Sequence, residues 1–183
     1  MSTHPTTSTT PATLTALRPN QPVPGFALPD ADGKIVRLAA FKQRRPVLLA
    51  LLHGASCPRC RAWLADLNVE REELEYRFVQ PLFIFPDDPA KLRALQHEMN
   101  LPGALLSDPA GETRARYLGA EDGLDQQKHQ SVVLIAVGRY NELLASWIAD
   151  EPSGWPPLAE PLATFAFAEQ EDCACGLPIW PDA

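Results

Sequence analysis

The stretch that most constrains this chain is a six-residue apolar run, Val47-Leu48-Leu49-Ala50-Leu51-Leu52, followed directly by His53-Gly54-Ala55-Ser56-Cys57-Pro58-Arg59-Cys60-Arg61. An unbroken run of this length reads as a strand covered on both faces, as in a parallel sheet. The residues after Cys60 carry helical periodicity, so the two cysteines fall where a buried strand gives way to a helix. Two thiols three apart at such a junction form a redox motif. The same spacing also serves as half of a metal site.

The local physics favours redox chemistry. Backbone N–H groups at a helix head lack intrahelical partners, and the dipole is positive there. A thiolate at Cys57 sits in that field, with Arg59 and Arg61 adding charge, and the thiolate is the nucleophile of disulfide exchange. Pro58 suits the first helical position. Cys60, one turn on, is placed to attack a mixed disulfide on Cys57.

The formal net charge of −7 and the lack of a dense Lys/Arg cluster argue against a nucleic-acid partner. The apolar run is too short to span a bilayer, so no membrane partner is expected. The four cysteines form two close pairs, Cys57/Cys60 and Cys173/Cys175, which suits chemistry better than stapling. Residues 1–20, rich in Thr, Ser and Pro, are expected to be disordered and lack the apolar centre of a secretory signal, which points to the cytoplasm.

Along the chain, short apolar stretches flank Asp32-Gly33 and predict a hairpin. Leu64, Leu67, Leu74 and Phe78 mark one face of a single helix, with Glu70, Arg71, Glu72, Glu73 and Glu75 mostly on its solvated side. Val79 to Phe85 predicts a strand, and Asp88-Pro89 opens a helix with Leu92, Leu95 and Met99 on one face and His97 as a surface or packing residue. A strand at 104–107, a helix at 112–118 and a loop over 119–130 follow. Strands at 131–137 and 142–148 come next. A last helix is expected over about 157–169, its start displaced toward Glu160 by Pro161. Strands alternating with helices, then a strand pair and a last helix, give an α/β fold, a three-layer α/β/α sandwich. The domain is placed at residues 21–170, with a cysteine-containing tail at 171–183.

From residue 20 to 150 the chain resembles the redoxin group of the thioredoxin fold, which includes the peroxiredoxin and alkyl hydroperoxide reductase (thiol-specific antioxidant) family. The resemblance rests on Val23-Pro24-Gly25-Phe26-Ala27-Leu28-Pro29-Asp30 with Asp32-Gly33, on Cys57-Pro58-Arg59-Cys60-Arg61, on Phe85-Pro86-Asp87-Asp88-Pro89, and on Leu105 to Glu112 with Tyr117-Leu118-Gly119. It implies a thioredoxin-like fold with an N-terminal hairpin and an enzyme acting on disulfides or hydroperoxides. Peroxiredoxins resemble the pattern proline, three residues, threonine or serine, two residues, cysteine. This chain has His53 and Cys57, or Ala50 and Gly54, at those places, and His129, Gln130 and Ser131 precede Val132 where that family carries an arginine. By the thioredoxin alignment Gln130 takes the place of the cis-proline facing the cysteines, and His53 and His129 flank the site.

The sequence reading therefore favours a thiol-disulfide oxidoreductase in which Cys57 attacks and Cys60 resolves, supported by His53, Pro58, Arg59, Arg61 and Gln130. Its expected partners are a protein or small-molecule disulfide and an unidentified electron donor, with no cofactor beyond the dithiol. Two alternatives stay open: a thiol peroxidase that reduces hydroperoxides, and a non-enzymatic protein that binds metal, zinc for example, through four thiolates. Cys173 and Cys175 are candidates for a redox relay, within a chain or across a homodimer. Trp155, Ile179 and Trp180 are read as packing or dimer contacts.

Overall fold

In the computed structural model the described residues are 17–118 and 131–174, with side chains described as far as 168. The elements in order are β1 (Ala27–Pro29), β2 (Ile35–Arg37), β3 (Val47–Leu51), α1 (Pro58–Val69), α2 (Arg71–Tyr76), β4 (Gln80–Phe85), α3 (Pro89–Met99), β5 (Ala104–Ser107), α4 (Glu112–Leu118), β6 (Val132–Val137), β7 (Leu143–Ala149) and α5 (Ala159–Ala174). Short 3-10 turns lie at Leu38–Phe41 and Pro152–Gly154.

The main sheet has the order β5-β4-β3-β6-β7. Strands β3, β4 and β5 are parallel, β6 runs antiparallel to β3, and β7 antiparallel to β6. All five residues of β3 are buried, as its unbroken apolar run requires of a central strand. Successive side chains point to opposite faces. Leu48, Ala50 and Leu52 therefore join one core with Trp63, Leu64 and Leu67 of α1, Leu92 and Leu95 of α3, and Leu162 and Phe165 of α5. Val47, Leu49 and Leu51 join a second core with Phe26, Leu38, Tyr117 and Leu118. Helices α1, α2, α3 and α5 thus cover one face, and the β1–β2 hairpin with α4 covers the other, giving the expected three layers.

Most expected elements stand where the periodicity puts them. The Asp88 side chain accepts from the Lys91 N–H at 3.0 Å and caps α3, with Pro89 in its first turn. The hairpin turn has Gly33 at φ +82°, a left-handed conformation that suits glycine. Pro161 falls in the first turn of α5, where its missing N–H costs no intrahelical bond.

Two expectations are corrected. The helix after Cys60 is not continuous to Phe78. Glu70, at φ −86° and ψ 13°, ends α1 and precedes α2. Phe78 follows α2 with φ +54° and is 60% exposed, so it leaves the apolar face. Arg71 anchors the break, donating to Asn68 Oδ1 at 2.8 Å and to the Asn100 carbonyl.

Leu17 falls in the segment expected to be disordered, yet it is buried in the second core, and the Asn20 N–H donates to the Leu143 carbonyl at 2.9 Å. Residues 1–16, the loop residues 119–130 and residues 175–183 lie outside the described residues.

Candidate active site

The sheet ends at the carboxyl edge of β3, where the chain turns through His53 to Ser56 into α1. Two contacts hold this turn. The Cys57 N–H donates to the Gly54 carbonyl at 3.1 Å, and the Ala55 N–H donates to Asp87 Oδ2 at 2.7 Å. Asp87 comes from the end of β4, where its own carbonyl accepts from Ser107 Oγ at 2.7 Å. A Cβ on Gly54 would meet Asp87 Oδ2 at 3.1 Å, so the close approach of carboxylate to backbone suits a residue without a side chain.

Cys57 is the N-cap of α1, with extended backbone (φ −72°, ψ 116°), and Pro58 occupies the first helical position. Cys57 is partly buried and Cys60 is buried without exposed surface. Both are thiols. His53 stands between them, its Nδ1 3.8 Å from Cys57 Sγ and 3.7 Å from Cys60 Sγ. The three ligand atoms lie within 4.8 Å of one another.

The two thiols are electrostatically unlike. At Cys57, burial is the largest influence and raises the pKa. Opposing it are the backbone N–H and side chain of Cys60, the backbone N–H of Arg59 and the Arg59 charge, and together they bring it below its ordinary value. At Cys60, burial dominates. The neighbouring Cys57 adds to it, and contacts with the His53 and Gly54 backbone oppose it, leaving the thiol at about 11.

The arginines differ as well. Arg59 pairs with Glu151, and its charge also favours the Cys57 thiolate. Arg61 pairs with Glu98 and donates to the Ala55 carbonyl at 3.4 Å, which ties α1 to α3 and to the turn. Gln130, His129 and Cys175 lie outside the described residues. Cys173 is in the last turn of α5, and its side chain is not among those described. His97 is exposed on α3.

Two charged residues behind the pair escaped the sequence reading. Arg114, 5% exposed, donates to the Leu52 carbonyl at the end of β3 and to the Ser131 carbonyl before β6, the latter at 2.6 Å. Asp108, also 5% exposed, accepts from the Thr113 and Arg114 N–H groups at 3.0 and 3.1 Å and heads α4. Burial pushes the Arg114 guanidinium below its ordinary range, while negative charge at Asp108 and Cys60 draws it back. A cation therefore stands behind the buried thiol. One sequence signal existed: Thr113, Arg114, Tyr117 and Leu118 share a helical stripe at spacings of one, four and five, and the arginine lies on its buried side.

Trp155, following β7, packs edge-on against Trp63 of α1 with ring centroids 4.8 Å apart, so its reading as a packing residue holds. A groove of about 600 Å³ beside α1 is lined by Arg59, Trp63, Val69, Trp155 and Leu158 among others.

Comparison with known proteins gives a consistent result. A relative from Mycobacterium tuberculosis is 36% identical over 98 residues, covering 54% of this chain and 62% of its own length. Peroxiredoxin Bcp of Escherichia coli is 34% identical over 95 residues, covering 52% of this chain and 60% of its own. The aligned region thus spans about three fifths of these relatives. Among solved structures, peroxidoxin BcpB of M. tuberculosis superposes with a TM-score of 0.70 at 20% identity, covering 82% of this chain and 97% of that one. A thiol:disulfide interchange protein DsbE of Chlorobium tepidum superposes with a TM-score of 0.63 at 20% identity, covering 81% and 99%. These likenesses establish the thioredoxin-type fold. Residues 19–138, from the segment before the hairpin through β6, match the AhpC/TSA family, and the chain belongs to that family.

Proposed function

We propose that this protein is a thiol-disulfide oxidoreductase of the redoxin type, with Cys57 as nucleophile and Cys60 as resolving thiol. One observation carries the reading: Cys57, the N-cap residue of α1, is partly exposed and has its thiol pKa lowered, whereas Cys60 one turn on is buried and has its pKa raised. The Cys57 thiolate attacks one sulfur of a substrate disulfide. An S–S bond forms to Cys57, the substrate S–S bond breaks, and the departing thiolate takes a proton from solvent. Cys60 then loses its proton and attacks the Cys57 sulfur. The second substrate thiol leaves, and the Cys57–Cys60 disulfide holds the two electrons' worth of oxidation. The His53 ring, within 3.8 Å of both sulfurs, is placed to receive the Cys60 proton as that attack begins. A separate electron donor returns the pair to the dithiol.

Membership of the AhpC/TSA family and the cation behind Cys60 favour a second reading, reduction of hydroperoxides. There the attacking thiolate would pass through a sulfenic acid that the other cysteine condenses with, releasing water. The more accessible member of the pair, Cys57, is again the attacking group.

The test uses the reduced full-length chain with a chromogenic small-molecule disulfide and, separately, with hydroperoxide. Cys57→Ser is expected to lower disulfide reduction by more than a hundredfold. Cys60→Ser is expected to trap a mixed disulfide visible by mass. A Cys57→Ser variant as active as the parent overturns the assignment. Peroxide consumption much faster than disulfide reduction moves the conclusion to the second reading. A homodimer and a relay through Cys173 and Cys175 are parts of this proposal that serine variants at those two positions probe, and cytoplasmic residence is a part that cell fractionation tests.

A further inference from the structure

The three atoms that gather at the end of β3 are one imidazole nitrogen and two sulfurs, all within 4.8 Å of one another. Zinc binds thiolate sulfur at about 2.3 Å and imidazole nitrogen at about 2.0–2.1 Å. Those lengths place a sulfur and a nitrogen on a common ion about 3.6 Å apart at a tetrahedral angle and about 3.8 Å at a trigonal one. The distances from His53 Nδ1 to the sulfurs, 3.7 and 3.8 Å, fall in that interval. From this juxtaposition we infer that His53, Cys57 and Cys60 form a three-ligand site for zinc, in the reduced chain only.

Charge balance selects a divalent ion. Two thiolates and a neutral imidazole cancel the charge of zinc, which suits a site whose inner sulfur has no exposed surface. A monovalent soft ion would leave a net negative charge there, and the two cations whose charge reaches the pair, Arg59 and Arg114, already face the carboxylates of Glu151 and Asp108. The ligand set is two sulfurs and one nitrogen, which leaves the fourth tetrahedral position on the more accessible Cys57 side for water or an incoming thiolate. Binding removes one proton from each thiol and releases both to solvent. It also excludes the disulfide. When a substrate disulfide oxidises Cys57 and Cys60, both sulfurs leave the ion for each other and zinc is released. The site is distinct from a four-thiolate centre, since it requires nothing from Cys173 or Cys175.

This inference goes beyond the proposed enzymatic role and requires only that the pair be thiols. The test titrates zinc into the reduced full-length chain carrying Cys173→Ser and Cys175→Ser, so that tail thiols do not contribute. One ion per chain is expected, with loss of two titratable thiols, and cobalt in its place is expected to show thiolate-to-cobalt charge-transfer bands. His53→Ala should weaken zinc by more than tenfold, and His53→Cys, which returns a ligand, should restore it. The oxidised chain should bind none. Less than half an equivalent bound at tenfold excess zinc overturns the inference, as does a His53→Ala chain that binds as tightly as its parent while its circular dichroism matches. Disulfide exchange without zinc binding overturns this inference alone, and zinc binding without exchange overturns the enzymatic reading alone.

Discussion

At the residue scale the site is a contrast between two chemically identical side chains. Position on the helix decides it. Cys57, at the cap, lies beside the backbone N–H groups of Arg59 and Cys60, which favour its thiolate, while Cys60, one turn in, faces the core. The pH behaviour follows with opposite signs. At Cys57 the folded-state pKa is depressed, so its stabilising contribution is present above the unfolded value of 9.0 and is lost as pH falls through the folded one. At Cys60 the folded value is raised. The thiol is protonated in both states below 9.0, and between 9.0 and about 11 only the unfolded chain gives up the proton, so stability falls as pH rises. Two units correspond to about 2–3 kcal/mol. Urea unfolding under reducing conditions at pH 8 and pH 11 should show this loss in the parent, and Cys60→Ala should remove that part of it. Equal pH slopes in parent and variant would contradict the assignment. Alkylation should show the same contrast, with Cys57 half-reacting below pH 9.0 and Cys60 resisting until the pH is far higher.

At the element scale, the strand–turn–helix that carries the cysteines was legible from the sequence, because an apolar run, a proline at the first helical position and helical periodicity all agree there. The break at Glu70 was not. Leu74 still reaches the core after it, so the apolar phase continues across an interruption that periodicity cannot register. Asp87 stood in the sequence only as part of the Phe85–Pro89 strand exit, with no role of its own. Its partner, the Ala55 N–H, is 32 residues away, and local pattern carries no information about such a contact. Asp87 fixes the turn that delivers Cys57, and also pairs with Lys91 at 3.6 Å. Asp87→Ala leaves the Ala55 N–H without its charged acceptor and should cost about 1.5–3 kcal/mol. It should also slow alkylation of Cys57 severalfold as the turn loosens, with Asp87→Asn, which retains an oxygen, recovering part of both. Unchanged alkylation in a destabilised Asp87→Ala chain would confine this residue to the fold.

At the scale of the whole molecule, Arg114 links parts that the chain order separates. It belongs to α4, on the face opposite α1, yet its guanidinium joins the ends of β3 and β6 and its charge reaches Cys60 from behind. The layers were legible in the sequence because unbroken apolar strands, which need cover on both faces, alternate with helices that present one apolar face. The link was not, because a charged residue in a short helix reads as solvated until the helix is seen packed. Replacing the arginine removes the donor to the Leu52 and Ser131 carbonyls and the guanidinium charge that offsets the buried Asp108 carboxylate, which keeps its two backbone donors. Arg114→Leu should therefore destabilise the fold by about 3–5 kcal/mol. Arg114→Lys should recover only a fraction, since one ammonium lacks the planar fork that spans two acceptors. Both are read from urea midpoints in reductant. The double variant Asp108→Asn/Arg114→Leu separates the causes. If the carboxylate left without that charge is the main cost, neutralising it recovers much of the loss. If the bridge between β3 and β6 is the main cost, the double variant is as unstable as Arg114→Leu alone, and in either case Cys60 should ionise at higher pH than in the parent because the cation behind it is gone.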